Sequence, residues 1–332
     1  MKQPNNNITR PLVTVLMSVF NGETYLKKAI DSILKQSYSD FEFLIINDGS
    51  SDKTAEILEH EAKRDSRIKV IDQDNQGLVA SLNYGLKKAS GQLIARIDAD
   101  DIAYPHRLEK QVTYMAEHPD LLALGSAITL IDDQGRTLKQ INYPTGTQEV
   151  RSAMMLGSKL AHPAVIMRRE QVLQIGAYRE ACRHAEDYDL WLRLLELGEI
   201  DNLNVPLLYY RQHDEKISLK ESFAQRLATE CAKFAYQMRK NGEADPLDSV
   251  ELPLTIDKLS NFDIPQYQLS ELYCSTFIKL VKQKRSFTAS EMNSVEFLAK
   301  WIIGQPSLFL RIKILKALFR YTRKRFAYSQ GS

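Results

Sequence analysis

Apolar stretches of strand length alternate with longer stretches of helical periodicity through the first hundred residues. Strands are predicted at residues 12–19, 41–46, 68–71 and 92–97, and helices at 23–36, 55–62 and 78–89. Strands that alternate with helices of this length form βαβ units, with parallel strand pairing and right-handed crossovers. The pattern therefore predicts an α/β domain in which helices flank a mainly parallel sheet.

After Pro105 the alternation is less regular. The pattern predicts a helix at 106–118, strands at 121–131 and 205–210, an apolar segment at 160–167, and a helix at 185–195 that begins with acidic residues. From about residue 218 onward the sequence is helical in character and has few turn signals. A C-terminal helical extension is therefore expected after the α/β domain.

Polar clusters follow three of the predicted strands, at residues 20–23, 47–50 and 98–101. In open α/β sheets, ligands bind in the crevice beyond the carboxyl ends of the strands. We therefore expect these three strand ends to converge on one ligand-binding crevice.

The third cluster places three carboxylates, those of Asp98, Asp100 and Asp101, within four positions. Without a nearby cation, one of three carboxylates this close together would take up a proton. Mg²⁺ and Mn²⁺ prefer carboxylate oxygens and keep coordination positions open for water or phosphate. The alternative is a helix N-cap followed by surface acids, and the acidic triplet by itself leaves both interpretations open.

The composition is that of an ordinary globular protein of 332 residues, with 44% hydrophobic and 26% charged residues. The 44 basic and 42 acidic residues nearly balance, but the eight basic residues from Lys300 onward are accompanied by no acidic residue. Residues 1–299 therefore carry 36 basic and 42 acidic residues, so a mildly acidic body precedes a basic tail. No nucleic-acid partner is expected.

Compartment signals in the sequence are few. The three cysteines lack the spacing of a zinc site or a disulfide framework, so reduced thiols in the cytoplasm are expected. The polar N-terminus has no apolar signal-peptide core, and no window is apolar enough for a membrane span. We expect neither secretion by a signal peptide nor a transmembrane segment.

The segment 308–328 separates apolar and basic residues onto two sides when wound as a helix. The apolar side carries Leu308, Ile312, Leu315, Leu318 and Phe319, and the basic side Lys313, Lys316, Arg320, Arg323 and Lys324. A basic amphipathic helix suits an anionic membrane surface, and the alternative is a helix whose apolar side packs on the body of the protein. The first interpretation predicts a cytoplasmic protein peripheral to the inner face of the cytoplasmic membrane.

Six segments follow one another in a fixed order between residues 11 and 218. They are MSVFNGETYLKKAIDSIL, FEFLIINDGSSDKT, NQGLVASLNYGLKKASGQLIARIDADD, HPAVIMRR, AEDYDLWLRL and YYRQH. Together they resemble the family 2 glycosyltransferases of bacterial surface-polysaccharide synthesis. The resemblance implies the Rossmann-like GT-A fold, with a nucleotide-sugar-binding half at 11–105 and an acceptor-binding half at 106–218. A polar tail at 1–10 and a helical region at 219–332 lie outside it.

The resemblance implies a nucleotide-diphosphate sugar as donor, with UDP-sugar expected, and Mn²⁺ or Mg²⁺ as cofactor. Its Asp-x-Asp motif falls on Asp98 and Asp100, with Asp101 supporting the metal through water and His213 as a further metal candidate. A carboxylate at Asp48 would accept the imide N–H of uracil. Donor contacts are thereby assigned to Phe20, Glu23, Asp48, Arg96, Asp98 and Arg211. Phe20 and Glu23 lie in the first loop, which in such enzymes lines the base and ribose. Arg96 is expected either to balance the charge of the acids or to reach the diphosphate.

The catalytic base implied by the resemblance falls on Asp187, beside Glu186. Direct displacement at the anomeric carbon needs a carboxylate that removes the proton of the acceptor hydroxyl, and the product is inverted. The acceptor would be a glycan or a lipid-linked oligosaccharide in capsule, O-antigen or exopolysaccharide synthesis. The structural alternative is that both residues are simply first-turn acids of a helix.

Three further sets of residues allow a functional or a structural interpretation. His162 and Pro163 would shape the acceptor side or start a strand, and Trp191 is expected in the core because Leu190, Leu194 and Leu195 surround it at helical spacing. Asn75 and Asn83 suit turn and helix-capping roles as well as donor contacts.

Other protein classes fit the sequence less well. A nucleotidylyltransferase should carry a Gly-rich basic loop after the first strand, and a dinucleotide oxidoreductase needs G-x-G-x-x-G there. A phosphatase with an Asp-x-Asp nucleophile should place that motif after the first strand. A non-catalytic nucleotide-binding scaffold of a membrane assembly remains the alternative, and metal-dependent hydrolysis of UDP-sugar would separate it from an enzyme.

Overall fold

The structure is a computed structural model that describes residues 12–212 and 222–249. Within these ranges, residues 12–180 and 186–212 form one compact unit, and residues 181–185 and 222–249 form another. The first unit contains the α/β fold and all the site residues that the structure describes.

The first unit is built on one nine-stranded sheet. Its strands, in chain order, are β1 Val13–Val19, β2 Phe41–Asp48, β3 Ile68–Gln73, β4 Leu93–Arg96, β5 Ile102–Ala103, β6 Leu121–Ile131, β7 Thr137–Ile141, β8 Ile166–Arg168 and β9 Glu199–Arg211. Its helices are α1 Leu26–Leu34, α2 Thr54–Arg64, α3 Leu78–Lys88, α4 Arg107–Glu117, α5 Thr147–Met154, α6 Arg169–Gln174 and α7 Glu186–Leu197. A short 3-10 turn at His162–Ala164 precedes β8.

The strand order is β3-β2-β1-β4-β8-β6-β9-β5, with β7 paired to β6. The first four strands are parallel, as the βαβ pattern predicts. β8 then lies antiparallel to both β4 and β6, and β9 pairs with β6 in parallel. The α/β fold is confirmed, but the sheet is mixed, because β8 and β7 both pair antiparallel and the tight turn between β6 and β7 is too short for a parallel crossover.

The core lies on both faces of the parallel strands. Every residue of β2, and nearly every residue of β1, is buried, which agrees with their largely apolar sequences. Helix α1 contributes Leu26, Ala29, Ile30 and Ile33 to one hydrophobic cluster with these strands. Burial of this kind fixes the positions of the strand ends, where the polar clusters begin.

Element boundaries agree closely with the sequence up to Pro105 and less closely after it. β5, β7, α5 and α6 are short elements that the sequence did not predict. The apolar segment 160–167 is a 3-10 turn followed by only three strand residues, because Pro163 lies within the turn. β9 begins at Glu199 rather than at 205, since its first half carries buried polar residues that interrupt the apolar run.

The second unit contains a long helix, α8 Ser222–Lys240, and a 3-10 turn at Pro246–Asp248. Arg239 near the end of α8 pairs with Asp245, whose carboxylate also accepts a hydrogen bond from Leu247 N. Among the described residues, no helix is both long enough and apolar enough to cross a membrane. The predicted basic helix at 308–328 lies outside the described residues.

Candidate functional site

Three polar clusters meet at one edge of the sheet. β1 lies between β2 and β4 and is parallel to both, so the carboxyl ends of these three strands are adjacent. The segments that follow them contain residues 20–23, 49–53 and 97–101. The predicted adjacency of these three strand ends is therefore confirmed, and the ligand-binding crevice stays a prediction.

The loop after β1 and the loop after β2 are hydrogen-bonded to each other. Asn21 has a positive φ of 51°, and its side chain accepts a bond of 2.8 Å from Ser51 N. One carboxylate oxygen of Glu23 accepts a hydrogen bond of 3.0 Å from Lys53 N. In turn, Glu23 N donates a hydrogen bond to the carboxylate of Asp52. The Glu23 carboxylate, a predicted donor contact, thus ties the two loops together.

Phe20 begins the first loop and differs from its neighbours in the sheet. Its side chain is 53% exposed, whereas Val19 just before it is buried. A large aromatic ring at the end of a buried strand provides a flat face for stacking. This placement suits the base or ribose contact predicted for Phe20.

Asp48 ends β2 and is only 2% exposed. One carboxylate oxygen accepts bonds of 2.7 Å from Gln73 Nε2 and 2.9 Å from Gln76 N, and the other accepts 2.9 Å from Gly77 N. An ionised carboxylate offers roughly four acceptor positions, so these three donors leave about one. Asp48 primarily shapes the loop after β3, and a uracil imide could occupy the remaining position.

The acidic triplet follows β4. Ligand oxygens of Asp98, Asp100 and Asp101 all lie within 4.8 Å of one another. The Asp98 carboxylate is 30% exposed and pairs at 2.5 Å with the buried guanidinium of Arg96. Three oxygen donors in so small a space suit the hard, oxygen-preferring cations Mg²⁺ and Mn²⁺, so these residues fit the metal that the sequence implied.

Two buried arginines lie close to the triplet in addition to Arg211. Burial disfavours the charge of Arg96, but the charge of Asp98 more than offsets this, so the pKa of Arg96 lies above its usual range. Arg107 donates 2.7 Å to the carbonyl of Arg96, and burial lowers the pKa of Arg107 to about 9. From the sequence, Arg96 is expected to be either a charge partner of the acids or a diphosphate contact. Its ion pair with Asp98 favours the first of these roles.

The sequence assigned Arg211 a donor contact, and that assignment stays a prediction. Its side chain is 1% exposed, and its Nε and NH1 groups donate to protein carbonyls. Arg211 N bonds the carboxylate of Asp101 at 2.9 Å, and Nε bonds the carbonyl of Asp100 at 2.9 Å. The reason is its position as the last residue of β9, a strand that pairs with both β5 and β6. The predicted metal candidate His213 lies outside the described residues.

Glu186 and Asp187 open helix α7 and are buried or partly buried. Burial raises the pKa of Asp187 to about 6, with a smaller raising contribution from Asp98, while Tyr188 N and the charge of Arg96 oppose the shift. Because the charges of Arg96 and Asp98 act on it, Asp187 lies within electrostatic reach of the acidic triplet. A carboxylate whose pKa is raised toward neutrality is a stronger proton acceptor than an ordinary aspartate.

A buried ion-pair network holds the start of α7. Asp189 is fully buried and accepts hydrogen bonds from Arg179 and from Arg193 Nε at 2.9 Å. Arg193 also donates to the carbonyls of Ile175 and Ala177, at 2.7 and 2.6 Å. This network joins the segment that precedes α7 to the helix carrying Asp187, and nothing in the sequence beyond the motif itself indicates it.

The partly buried His162 pairs with the buried Tyr178. Their Nε2 and hydroxyl atoms are 2.8 Å apart, and the indole of Trp191 approaches the His162 ring edge-on at 6.0 Å. Burial and the charge of Arg96 hold the pKa of His162 well below its usual range, so the imidazole is neutral. Trp191 is fully buried, as predicted.

Asn83 provides a link that the sequence did not predict. Its side chain donates 2.8 Å to the carbonyl of Tyr178 and accepts 3.0 Å from Tyr178 N. Asn83 lies on α3 in the first half of the unit, and Tyr178 lies in the second half. The side chain of Asn83 therefore connects the two halves of the unit and does not cap a helix.

Comparison with known proteins gives matches of two kinds. Residues 14–176 match the family model described as glycosyl transferase family 2. The chain is 37% identical over 228 residues to the O-antigen biosynthesis glycosyltransferase WbnJ of Escherichia coli, covering 68% of this chain and 87% of that protein. The solved structure of S. aureus TarS 1-349 in complex with UDP is similar, with a TM-score of 0.58, 17% identity, and coverage of 96% and 92%. The mannosyltransferase PcManGT of Pyrobaculum calidifontis, in complex with GDP-Man and Mn²⁺, gives a TM-score of 0.54, 16% identity, and coverage of 97% and 84%.

Proposed function

This chain belongs to glycosyltransferase family 2 and has the GT-A fold, and on that premise we propose that it is an inverting glycosyltransferase of surface-polysaccharide synthesis. The donor is a nucleotide-diphosphate sugar, with UDP-sugar as the first candidate because TarS, a protein of the same fold, binds UDP. The acceptor is a hydroxyl group of a glycan or of a lipid-linked oligosaccharide.

One observation supports this proposal more than any other. The pKa of Asp187 is raised to about 6 in a position where the charges of Arg96 and Asp98 act on it. The proposed base and the candidate metal site, which lie some ninety positions apart in the sequence, are therefore within electrostatic reach of each other. Direct displacement requires this combination, because the acceptor must lose its proton while the diphosphate departs with its negative charge.

The donor half of the crevice binds and orients the nucleotide. Phe20 offers an exposed ring on which a base can stack, and Asp48 offers an acceptor for the imide N–H of uracil. Asp98, Asp100 and Asp101 would hold Mn²⁺ or Mg²⁺. When bound, the metal ion supplies Lewis-acid stabilisation of the charge that develops on the leaving diphosphate.

The acceptor half supplies the base. Asp187 accepts the proton of the attacking hydroxyl, whose oxygen forms the new bond to the anomeric carbon as the bond to the diphosphate breaks. Because the attack comes from the face opposite the leaving group, the configuration inverts. Glu186 lies beside Asp187 and is buried, so its role in the proposal is to support the base electrostatically.

The location of the protein is part of the same proposal. The basic helix predicted at 308–328 would hold the enzyme at the inner face of the cytoplasmic membrane, where a lipid-linked acceptor is located. Deletion of residues 308–332 should then move the protein from the membrane fraction to the supernatant after cell lysis. Unchanged partitioning of the truncated protein would remove the membrane from the proposal.

The decisive experiment measures metal-dependent turnover of donor. Purified protein is incubated with a panel of nucleotide sugars and Mn²⁺, binding is followed by thermal shift, and hydrolysis or transfer by release of the nucleoside diphosphate. We expect a UDP-sugar to stabilise the protein and to be turned over, and Asp100→Asn to abolish turnover.

Asp40→Asn is the matched control, because Asp40 is an exposed aspartate just before β2, at the opposite end of that strand from the site. It should behave as the wild type. A protein that binds UDP but shows neither transfer nor hydrolysis with any donor would instead support the non-catalytic scaffold.

A further inference from the structure

Arg211 makes an unusual set of contacts for an arginine at the end of a strand. Its backbone N–H bonds the Asp101 carboxylate and its Nε bonds the carbonyl of Asp100, each at 2.9 Å. Its NH1 group bonds the carbonyls of Asp132 and Asp133, also at 2.9 Å. One residue therefore joins two of the three acids to the turn between β6 and β7.

The other faces of the guanidinium are also enclosed. Its central carbon lies 4.4 Å from the centre of the Tyr25 ring, a cation–π distance, and the residue is 1% exposed. A planar guanidinium with fixed donor directions is well suited to this environment, whereas the ammonium of lysine is a point donor on a flexible stem. The contacts thus depend on arginine in particular.

The turn that receives NH1 is itself rigid. The Asp132 carboxylate accepts bonds from Gln134 N and Arg136 N, and it pairs with Arg136 Nε at 2.7 Å. Gly135 closes the turn with a φ of 88°, a conformation that other residues rarely adopt. The carbonyls of Asp132 and Asp133 are therefore a fixed anchor for Arg211.

We propose that Arg211 is a positioning residue that sets the geometry of the metal site by clamping the backbone of Asp100 and the carboxylate of Asp101 to the β6–β7 turn. The clamp fixes the chain on both sides of the Asp100–Asp101 peptide. Metal ions such as Mn²⁺ and Mg²⁺ require their ligands in defined places, so loosening this peptide lowers metal affinity. The inference rests on the metal dependence in the proposed function.

The test is a titration of the full-length protein with Mn²⁺ alone, followed by the electron paramagnetic resonance signal of free aqueous Mn²⁺. Arg211→Lys should bind Mn²⁺ at least about tenfold more weakly than the wild type, because second-shell changes typically cost 10- to 100-fold. A Tyr25→Leu variant, which removes the ring beneath the guanidinium, should show a smaller loss in the same direction.

Arg168→Lys is the matched control. Arg168 also ends a strand and bonds three backbone carbonyls, those of Leu121, Met115 and His118, but these lie at the ends of α4 and β6 away from the triplet. Its thermal midpoint should fall by an amount similar to that of Arg211→Lys, while its Mn²⁺ affinity should remain that of the wild type. Similar losses of Mn²⁺ affinity in both variants would reduce Arg211 to a purely structural role and overturn the inference.

The remaining outcomes are also decisive. If the wild type and Arg168→Lys bind Mn²⁺ and Arg211→Lys binds it equally well, the inference fails while the proposed metal dependence survives. If Arg211→Lys does not fold, folded Tyr25→Leu with unchanged Mn²⁺ affinity overturns it. If neither the wild type nor Arg168→Lys binds Mn²⁺, the metal dependence fails and the inference with it.

Discussion

The chemistry of Asp187 depends on its surroundings more than on its identity. It lies at the first turn of α7, where an exposed aspartate would be ionised with an ordinary pKa and would be a weak base. Partial burial raises its pKa to about 6, and the charge of Asp98 adds to the effect. The same residue that could have been a helix-capping acid is thereby suited to proton transfer near neutral pH.

Replacement of Asp187 by asparagine keeps the shape of the side chain and removes the base. We expect kcat to fall by about 10²- to 10⁴-fold, the usual contribution of general base catalysis, with donor affinity retained. Nucleoside diphosphate release gives kcat, and thermal shift with donor gives binding. Equal turnover by Asp187→Asn and the wild type would exclude Asp187 as the base.

The pH dependence of activity follows from the same pKa. Asp187 acts in its ionised form, and its pKa is raised to about 6, so the active fraction is high above that pH and falls below it. From pH 6 to pH 5, kcat/KM should decrease about fivefold, and at still lower pH the decrease should approach tenfold per pH unit. A profile measured at constant free Mn²⁺ that stayed flat down to pH 5 would contradict this assignment.

At the residue scale, the sequence supplied the identities of the candidate ligands and base but not their contacts. Asp98, Asp100 and Asp101 were recognisable because three carboxylates in four positions need compensation. The arginines that provide part of it come from β4, α4 and the end of β9, and their approach depends on tertiary packing. For the same reason the contacts of Arg211 could not be predicted, because its neighbours in the motif give no sign that its side chain is buried against the acids.

Helix α7 carries the proposed base, and the buried Asp189 makes the ion pairs that hold this helix. Asp189 lies between Arg179 and Arg193, whose side chains are almost as buried as its own. Asp189→Asn would leave two buried positive charges without their partner, and breaking such a pair costs about 3 kcal/mol or more of unfolding free energy. Denaturant unfolding measures this directly.

Asp31 offers a comparison for the Asp189 experiment. It too pairs with two cations, Lys27 and Arg64, but on the exposed surface of α1 and α2. Asp31→Asn should cost at most about 1 kcal/mol, since exposed ion pairs contribute little. If both variants lost the same stability, the network around Asp189 would not be what orients α7.

Two arginines in the HPAVIMRR segment make contacts between elements that the motif itself does not reveal. Arg168 bonds the carbonyls at the end of α4, and Arg169 bonds those of Leu86 and Lys87 at the end of α3. Both arginines therefore satisfy helix C-termini, which have carbonyls without intrahelical partners. The motif predicted the family correctly, but this part of it serves packing, which no periodicity in the sequence could indicate.

Across the whole molecule, the buried acid Glu42 makes stability depend on pH. Burial raises the pKa of Glu42, but hydrogen bonds from Lys69, Ser90 and Thr14 lower it by more, so the resulting pKa is about 2. Because the folded pKa is below the ordinary value of 4.5, the ionised carboxylate stabilises the fold above that pH. The contribution, about 3 kcal/mol at 1.36 kcal/mol per pKa unit, is lost as pH falls from about 4.5 toward 2.

Glu42→Gln tests this dependence. The variant should be less stable than the wild type by about 2 to 3 kcal/mol at pH 7, and the difference should shrink as the pH is lowered toward 2. Denaturant midpoints at several pH values measure it. Glu59→Gln, at an exposed ion pair on α2, should be indistinguishable from the wild type at every pH.

The βαβ half of the fold was predictable because each of its elements carries its own periodicity. The second half was not, since β5 and β8 are two and three residues long and depend on partners far away in sequence. The buried polar residues of β9 likewise depend on partners that are distant in the sequence. Asp201 and Asn202 are buried within the strand because the backbones of Gly146, Pro144 and Lys159 bond to them.

The short strand β8 constrains recombination between related proteins. Its three residues pair with β4 on one side, while β6 pairs with two of them on the other, so the sheet is continuous across the point where the sequence suggested two halves. A chimera that joined the first 105 residues of this chain to the remainder of a divergent relative would need a new pairing between β4 and β8. Without that pairing, the edge of β4 would be exposed to other chains. Exchanges that keep β4 and β8 from one parent should yield folded hybrids, so recombination between relatives is constrained by the β4–β8 pairing, which joins the two halves.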